Sequence, residues 1–279
     1  MTAGAFTVEL ETANRLARDA GDLAMKYHGG KLKVERKAED EPVTIADREA
    51  SDLIVAGLRE AFPDDVIISE ENADDLARLK AERVWYIDPI DGTKDFIRGE
   101  DGFCVMIGLA VAHRPTAGVI CAPVGGRVFR AAPDIGAWLS IPGKPDIQLH
   151  GSDVDDLSRV RLVASKSHRS ATIDRVKAAL GINNEHNIGS VGLKLGVIAM
   201  GEQDLYVNPS SKCSVWDTCA PEAILVAAGG RITDLYGEPL RYDTEDVGHR
   251  RGMIASNGLI HDAAVHRLSG LFSPQQPLD

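Results

Sequence analysis

Residues 84–96 read VWYIDPIDGTKDF, and this stretch joins a predicted buried strand to an acidic turn. Val84 to Ile87 is a run of branched and aromatic residues, which is typical of a strand covered on both faces. The strand is predicted to end at Asp88, because the next residue, Pro89, has no N–H to donate to a sheet ladder. The sequence therefore places an acidic side chain at the end of a buried strand.

The turn after this strand carries groups suited to binding. Asp91 is followed by Gly92, which takes backbone angles closed to other residues. Thr93 is predicted to cap a following helix and to aim backbone N–H groups at the turn. Asp88 and Asp91 beside such a helix end suit a hard cation and a phosphate together. An ordinary acidic surface turn is the alternative interpretation.

Composition narrows the class of protein. The chain has 279 residues, enough for one large domain or two of ordinary size, and it is 44% hydrophobic and 26% charged. These values indicate a globular protein, and the net charge of −11 argues against a nucleic-acid polymer as partner. A small phosphorylated ligand is compatible with this charge, since acidic residues hold cations that attract phosphate. We find neither a membrane-length apolar run nor an opening signal segment, so the expected location is the cytoplasm.

The four cysteines are predicted to be buried free thiols. They show no C-x-x-C spacing, and each lies among apolar or small residues.

The predicted elements divide the chain into two parts. The first half suggests an antiparallel meander, because its strands follow one another through tight turns. The second half alternates strands with helices, which indicates an α/β layer. Residues 142–156 are rich in Pro, Gly and Asp, so we predict an N-terminal α+β domain at 1–148 and a C-terminal α/β domain at 149–279.

Helical periodicity or end signals predict five longer helices. They are Thr7 to Tyr27, Thr44 to Ala61 (with Ile45, Leu53, Ile54 and Leu58 inward), Ala171 to Leu180, Leu193 to Met200 and Trp216 to Ala228. Apolar runs predict the strands. They are Leu32 to Arg36, Val66 to Ile68, Val84 to Ile87, Phe103 to Val111, Ala117 to Ala122, Val128 to Ala131, Ala137 to Leu139, Val160 to Ala164, His186 to Ile188, Asp204 to Val207 and Arg231 to Thr233.

Five acids stand at the ends of predicted elements. Asp47 and Asp217 each fall in the first turn of a helix, where the helix dipole alone explains a negative charge. Glu70 follows a short apolar strand, which repeats the pattern at Asp88 and Asp91. Five carboxylates without a histidine or cysteine partner suit Mg²⁺ rather than Zn²⁺.

The sequence around these acids resembles the inositol monophosphatase superfamily of Mg²⁺-dependent, lithium-sensitive phosphatases. Four segments carry the resemblance, in the family's order: 43–47 (VTIAD), 70–71 (EE), 88–93 (DPIDGT) and 216–217 (WD). The resemblance implies a layered αβαβα sandwich, of class α/β (α+β), with a site for two or three Mg²⁺ ions and inhibition by Li⁺.

The same resemblance implies a set of metal ligands. Glu70, Asp88 and the carbonyl of Ile90 correspond to the ligands of one Mg²⁺. Asp88, Asp91 and Asp217 correspond to those of a second, with Asp88 bridging.

The resemblance also assigns the chemistry. A weaker third ion corresponds to a place near Glu70 and Asp47. Thr93, with Asp47 or Glu70, would orient and deprotonate the attacking water. The backbone N–H groups of Gly92 and Thr93 would cradle the phosphate.

Substrate choice is predicted from three segments that resemble the 3'(2'),5'-bisphosphate nucleotidase branch. These are 94–96 (KDF), 165–169 (SKSHR) and 189–194 (GSVGLK). By resemblance His168 would hold the nucleoside, while Ser190 and Lys194 would bind the phosphate that does not react. The last segment's spacing also fits inositol-type enzymes, and an exposed lysine and an ordinary loop histidine are the plain alternatives. Arg169, Lys212 and Arg241 are further cations that the sequence does not place.

These resemblances predict release of the 3'-phosphate from adenosine 3',5'-bisphosphate, which gives AMP. The alternative substrates are an inositol 1-phosphate or a sugar phosphate such as fructose 1,6-bisphosphate. A non-catalytic phosphate or nucleotide sensor is the alternative of a different class. The chain is expected to act as a monomer or a homodimer.

Overall fold

The computed structural model describes residues 4–30, 34–36, 42–166, 171–182 and 185–272. Its helices are α1 (Thr7–Met25), α2 (Ile45–Ala61), α3 (Thr93–Ile97), α4 (Ala171–Leu180), α5 (Val191–Ala199), α6 (Val215–Ala227) and α7 (His261–Leu268). Its strands in the first half are β1 (Val34–Arg36), β2 (Pro42–Thr44), β3 (Val66–Ser69), β4 (Arg83–Asp91), β5 (Cys104–Val111), β6 (Arg114–Ala122), β7 (Arg127–Ala132), β8 (Gly136–Ser140) and β9 (Ile147–Gln148). Those in the second half are β10 (Leu162–Ser165), β11 (Glu185–Ile188), β12 (Leu205–Asn208), β13 (Arg231–Thr233) and β14 (Met253–Ser256).

Most strands of the first half form one sheet in chain order. Its seven strands run β3-β4-β5-β6-β7-β8-β9, and only β3 and β4 pair in parallel. Tight turns join the strands from β5 to β8, including the pair Gly125 and Gly126, which both have positive φ. This sheet is the predicted meander.

The second half forms a five-stranded mixed sheet in the order β11-β10-β12-β14-β13. β10 pairs in parallel with β11 and β12, as the alternating pattern predicts. β14 and β13 add an antiparallel edge. β14 and α7 were not predicted from the sequence.

The two sheets and the helices stack in five layers. α1 and α2 pack on the outer face of the seven-stranded sheet, in a core that includes Leu16, Ile54 and Trp85. α5 and α6 lie between the sheets, and the central core includes Phe129 and Ile224. α4 and α7 cover the outer face of the five-stranded sheet. The predicted αβαβα sandwich is confirmed.

The structure corrects two local predictions. β4 does not end at Asp88 but continues through Pro89 to Asp91, and its pairing with β5 shifts register between Asp88 and Asp91. A proline fits there because an irregular ladder does not need its missing N–H. Ile45, predicted to face inward, is 43% exposed at the start of α2.

Other predictions hold. All four cysteines are buried and free. Across the described part of the chain, no helix combines the length and apolar character needed to cross a membrane.

Candidate active site

The end of β4 places Asp88 in the interior. Its side chain is 2% exposed, and Oδ1 accepts a 3.0 Å hydrogen bond from the amide of Ile90. Gly92 follows with a φ of 96°, and a Cβ there would lie 2.6 Å from the carbonyl oxygen of Gly102. Only glycine takes this backbone conformation and this close approach without strain.

Glu70 lies beside Asp88 because β3 and β4 are parallel. Ser69 pairs with Ile87, and the amide of Glu70 donates a 3.1 Å hydrogen bond to the carbonyl of Ile87. The carboxyl ends of two parallel strands therefore meet, as the repeated acidic pattern predicts.

Asp47 enters the site from the first turn of α2. Its Oδ2 accepts hydrogen bonds from the amide of Thr44 at 2.8 Å and from the hydroxyl of Thr44 at 2.6 Å. Thr44 and Asp47 thus form a capping box at the start of α2, which uses Oδ2 of the carboxylate. The second oxygen, Oδ1, lies 3.5 Å from the hydroxyl of Thr93.

Asp217 occupies the same position in α6. The amide of Ser214 donates a 2.7 Å hydrogen bond to its Oδ2, and the two residues form a second capping box. Two helices therefore each present one acid from the third position of the first turn.

A backbone amide from the second half of the chain binds the carboxylate of Asp91. Its Oδ2 accepts a 2.8 Å hydrogen bond from the amide of Gly192, at the start of α5. The positive end of that helix favours a carboxylate there.

The acids influence one another strongly. Burial raises the pKa of Asp88 well above its ordinary value, and the negative charges of four other acids raise it further. Those acids are Glu70, Asp91, Asp217 and Asp47. Burial also raises the pKa of Asp91, while the charge of Lys194 opposes that rise. Acids from four segments far apart in sequence thus converge around Asp88.

The carboxylates fit a hard divalent cation by donor chemistry. Buried acids that raise the pKa of one another need positive charge between them, and all the side-chain donors are oxygens. Within the described ranges, no three acidic, histidine or cysteine side chains already surround one point in coordination geometry. The site is therefore a cluster of acids around Asp88 whose oxygen donors suit a hard divalent cation.

Thr93 is the first residue of α3, so the prediction that it caps this helix is wrong. The N-cap is Gly92, in the left-handed region. The hydroxyl of Thr93 instead donates a 3.1 Å hydrogen bond to the carbonyl of Ile90 and faces Asp47. The hydroxyl thus lies between two of the predicted site residues.

Ser190 and Lys194, predicted to bind substrate, are buried and have partners inside the protein. Ser190 is 0% exposed, and its Oγ accepts a 3.0 Å hydrogen bond from the amide of Leu193 as the N-cap of α5. Lys194 is 1% exposed, and Nζ donates a 2.8 Å hydrogen bond to the carbonyl of Gly189. The plain alternative of an exposed lysine at 194 is wrong.

One predicted substrate residue, His168, and three further cations remain. His168 and Arg169 fall outside the described residues. Arg241 forms a bidentate ion pair with Asp243, and Lys212 is exposed.

Sequence reasoning missed three residues that orient the acids. Thr44 and Ser214 each stand three positions before an aspartate, and this spacing is itself the signal of a capping box. Gly192 carries no such signal, because 101 positions separate it from Asp91.

Comparison with known proteins identifies the family. The model of the inositol monophosphatase family matches residues 7–270. The chain belongs to this family of phosphatases. It is 38% identical over 237 residues to the 3'(2'),5'-bisphosphate nucleotidase CysQ of Salmonella typhimurium, covering 84% of this chain and 93% of that protein.

Two further relatives show the range of the family. The inositol monophosphatase of Mesembryanthemum crystallinum is 33% identical over 266 residues, which cover 92% of this chain and 94% of that protein. The crystal structure of CysQ from Bacteroides thetaiotaomicron, a bacterial member of the family, matches with a TM-score of 0.77 and 29% identity. That match covers 91% of this chain and 98% of the other.

Proposed function

We propose that this protein is a Mg²⁺-dependent phosphomonoesterase that releases the 3'-phosphate of adenosine 3',5'-bisphosphate to give AMP. The observation that carries the proposal is the convergence of four acids on buried Asp88. A cluster of carboxylates is what a magnesium-dependent phosphatase needs, since bound Mg²⁺ neutralises the negative charge of both the carboxylates and the phosphate.

The residues divide into two ligand groups. Glu70, Asp88 and the Ile90 carbonyl would hold one Mg²⁺, and Asp88, Asp91 and Asp217 a second. Bound Mg²⁺ would make a water molecule nucleophilic near neutral pH and stabilise the leaving oxygen.

Thr93 and Asp47 would handle the proton of the attacking water. Asp47 is fixed through Oδ2 by Thr44, so its Oδ1 keeps a constant direction toward the Thr93 hydroxyl. A hydroxyl paired with an oriented carboxylate can accept a proton and pass it on. Glu70 is the second candidate for this role, and the amides of Gly92 and Thr93 are the proposed phosphate cradle.

The proposed substrate, a bisphosphate nucleotide, is chosen from the similarity of this chain to its relatives. The Salmonella typhimurium protein, named a 3'(2'),5'-bisphosphate nucleotidase, is 38% identical to this chain within its match, against 33% for the plant inositol monophosphatase. Segments 94–96, 165–169 and 189–194 support the same branch. The match to the plant enzyme covers 94% of that protein, which keeps an inositol or sugar phosphate as the second candidate.

A phosphate-release panel tests the proposal. It compares adenosine 3',5'-bisphosphate, inositol 1-phosphate and fructose 1,6-bisphosphate, each with Mg²⁺ and with EDTA, and adds Li⁺ as the expected inhibitor. We expect the highest kcat/KM for the bisphosphate nucleotide and loss of release in EDTA. Faster turnover of inositol 1-phosphate would refute the proposed substrate specificity. Equal phosphate release in EDTA would refute the proposed dependence on Mg²⁺. Metal-stimulated release of any kind would exclude a non-catalytic sensor.

A further inference from the structure

A chain of hydrogen-bonded side chains runs through the interior beside the start of α6. The hydroxyl of Thr218 lies 2.8 Å from Nε2 of His249 and 2.8 Å from the hydroxyl of Tyr242. The hydroxyl of Tyr242 donates a 2.9 Å hydrogen bond to Oε2 of the partly buried Glu222. Thr218 is 0% exposed, Tyr242 1% and His249 7%. The proposed chemistry uses none of these side chains, and Thr218 is the centre of the chain.

Thr218 is the residue that follows Asp217 in the first turns of α6. The amide of Ser214 donates a 2.7 Å hydrogen bond to Oδ2 of Asp217, so the start of the helix sets the direction of this carboxylate. The hydroxyl of Thr218 also lies 3.4 Å from the carbonyl of Ser214 and 3.3 Å from that of Val215. A group that fixes Thr218 therefore fixes the turn that carries Asp217.

Residues 247–249, which we call the α6 support segment, pair with the residues that lead into this helix. The amide of Val215 donates a 2.9 Å hydrogen bond to the carbonyl of Val247, and the amide of His249 donates one of 2.7 Å to the carbonyl of Cys213. His249 therefore binds the chain on both sides of the metal-site acid. Its amide binds before the helix, and its ring binds one residue after the acid.

The hydrogen bond between His249 and Thr218 joins two neutral groups. Burial lowers the pKa of His249 to about 4, so the ring is uncharged near pH 7 and carries one proton. When Nε2 donates this proton to Thr218, Thr218 donates to Tyr242 and Tyr242 to Glu222, which satisfies all three hydrogen bonds. Because His249 and Thr218 carry no charge, they act on Asp217 through its position.

We propose that Thr218 and His249 are positioning residues for Asp217 and that neither touches the metal or the substrate. This inference rests on the proposed function, in which Asp217 holds a Mg²⁺ ion. The hydrogen bond between the two residues fixes the first turn of α6 against the α6 support segment, and that turn fixes the carboxylate. Groups that orient a metal ligand contribute to metal affinity without touching the metal.

Thr218→Val tests the proposal, because it removes the hydroxyl and nearly preserves the shape of the side chain. We expect Mg²⁺ affinity, measured by titration calorimetry, to fall about threefold to tenfold, which corresponds to the net contribution of one hydrogen bond. At saturating Mg²⁺ we expect kcat for phosphate release to match wild type, since the bound metal then holds the carboxylate. Thr218→Ser, which restores the hydroxyl, should regain most of the affinity.

Thr233→Val is the matched control for a general loss of stability. The hydroxyl of Thr233 lies 2.9 Å from Nε2 of His261, and both side chains are buried, so this variant removes a hydrogen bond of the same kind. Thr233 lies in β13, at the edge of the five-stranded sheet. We expect both valine variants to lose stability in urea, and Thr218→Val alone to lose Mg²⁺ affinity.

His249→Leu repeats the test from the other side of the hydrogen bond, so the result does not depend on the folding of one variant. We expect it to weaken Mg²⁺ binding in the same direction, with a native circular dichroism spectrum. The double variant Thr218→Val/His249→Leu should lose no more affinity than Thr218→Val alone, because both substitutions remove the same hydrogen bond.

The outcomes separate the two claims. Unchanged Mg²⁺ affinity in a folded Thr218→Val protein, or an equal loss in Thr233→Val, would overturn the role of Thr218. Additive losses in the double variant would overturn the role of its hydrogen bond to His249. Normal Mg²⁺ binding by wild type without phosphate release from any ester would overturn the proposed function alone.

Discussion

The hydroxyl of Thr93 lies 3.5 Å from Oδ1 of Asp47, although 46 positions separate the two residues. The same hydroxyl donates a 3.1 Å hydrogen bond to the carbonyl of Ile90. Thr44 holds the other oxygen of Asp47, so backbone and side chain together fix the carboxylate. The capping box of α2 therefore also orients a residue of the proposed active site.

Removing the Thr93 hydroxyl tests this relationship. Thr93→Val keeps the shape of the side chain but removes the group that would pass on the proton of the attacking water. We expect kcat to fall by about a hundredfold or more, as for the loss of a general base, while Mg²⁺ affinity stays within about twofold of wild type. Steady-state phosphate release and titration calorimetry measure the two quantities.

Thr116→Val on β6 is the matched control, since its hydroxyl donates a hydrogen bond to the nearby carbonyl of Arg114. A Thr93→Val enzyme with the kcat of wild type would remove Thr93 from the mechanism.

Arg78 is expected to be a major contributor to stability. It is 0% exposed, its Nε lies 2.7 Å from Oδ2 of Asp74, and its two terminal nitrogens donate to the carbonyls of Thr244 and Glu245. Arg78→Met leaves these acceptors without a donor, so we expect the free energy of unfolding to fall by about 3 to 5 kcal/mol. Urea denaturation followed by circular dichroism gives this value.

Arg15→Met provides the comparison, because Arg15 and Asp19 form an exposed pair with side chains 60% and 50% accessible. We expect that variant to lose less than about 1 kcal/mol. Equal losses in the two variants would show that burial of the Arg78 guanidinium adds nothing.

His261 predicts a specific pH dependence of stability. The ring is 0% exposed, and its nitrogens lie 2.9 Å from the hydroxyls of Thr233 and Ser256. Burial lowers the pKa of His261 to about 4. Below about pH 6.5 the unfolded chain binds a proton that the folded protein does not, so stability falls as the pH drops from 6.5 through 4.

We expect this residue to account for about 1 to 3 kcal/mol of the loss between pH 7 and pH 4. His261→Asn should flatten that part of the profile, and exposed His266→Asn should leave it as in wild type. Identical profiles for wild type and His261→Asn would contradict the assignment.

The sequence alone predicted the helices and strands whose buried residues follow a regular pattern. α1 and α2 show the periodicity of a helix with one apolar face, and β3 and β4 are apolar runs that end in acids, so the cluster itself was predictable. Pro89 was misleading, because a register shift accommodates it inside β4. β14 was missed because Met253–Ser256 is a run of only four residues, although Gly252 stands before it as a turn signal.

The substrate residues show where prediction from sequence ends. The motif indicates that Lys194 lies near the site, but the direction of its side chain also depends on Tyr206, which lies in β12. Contacts between distant segments have no local pattern to mark them. For the same reason, nothing in the sequence indicated that the amide of Gly192 holds Asp91.

Asp88→Asn gives the most direct test of the central claim, that the acidic cluster holds the Mg²⁺ of a phosphomonoesterase. The substitution keeps the shape of the side chain and removes the charge on which the other acids converge. The measurement is phosphate release from adenosine 3',5'-bisphosphate by wild type and Asp88→Asn over a Mg²⁺ series, with circular dichroism as the check on folding. We predict Mg²⁺-dependent release by wild type and none by a folded Asp88→Asn protein. Retained Mg²⁺-dependent turnover in that variant would contradict the account.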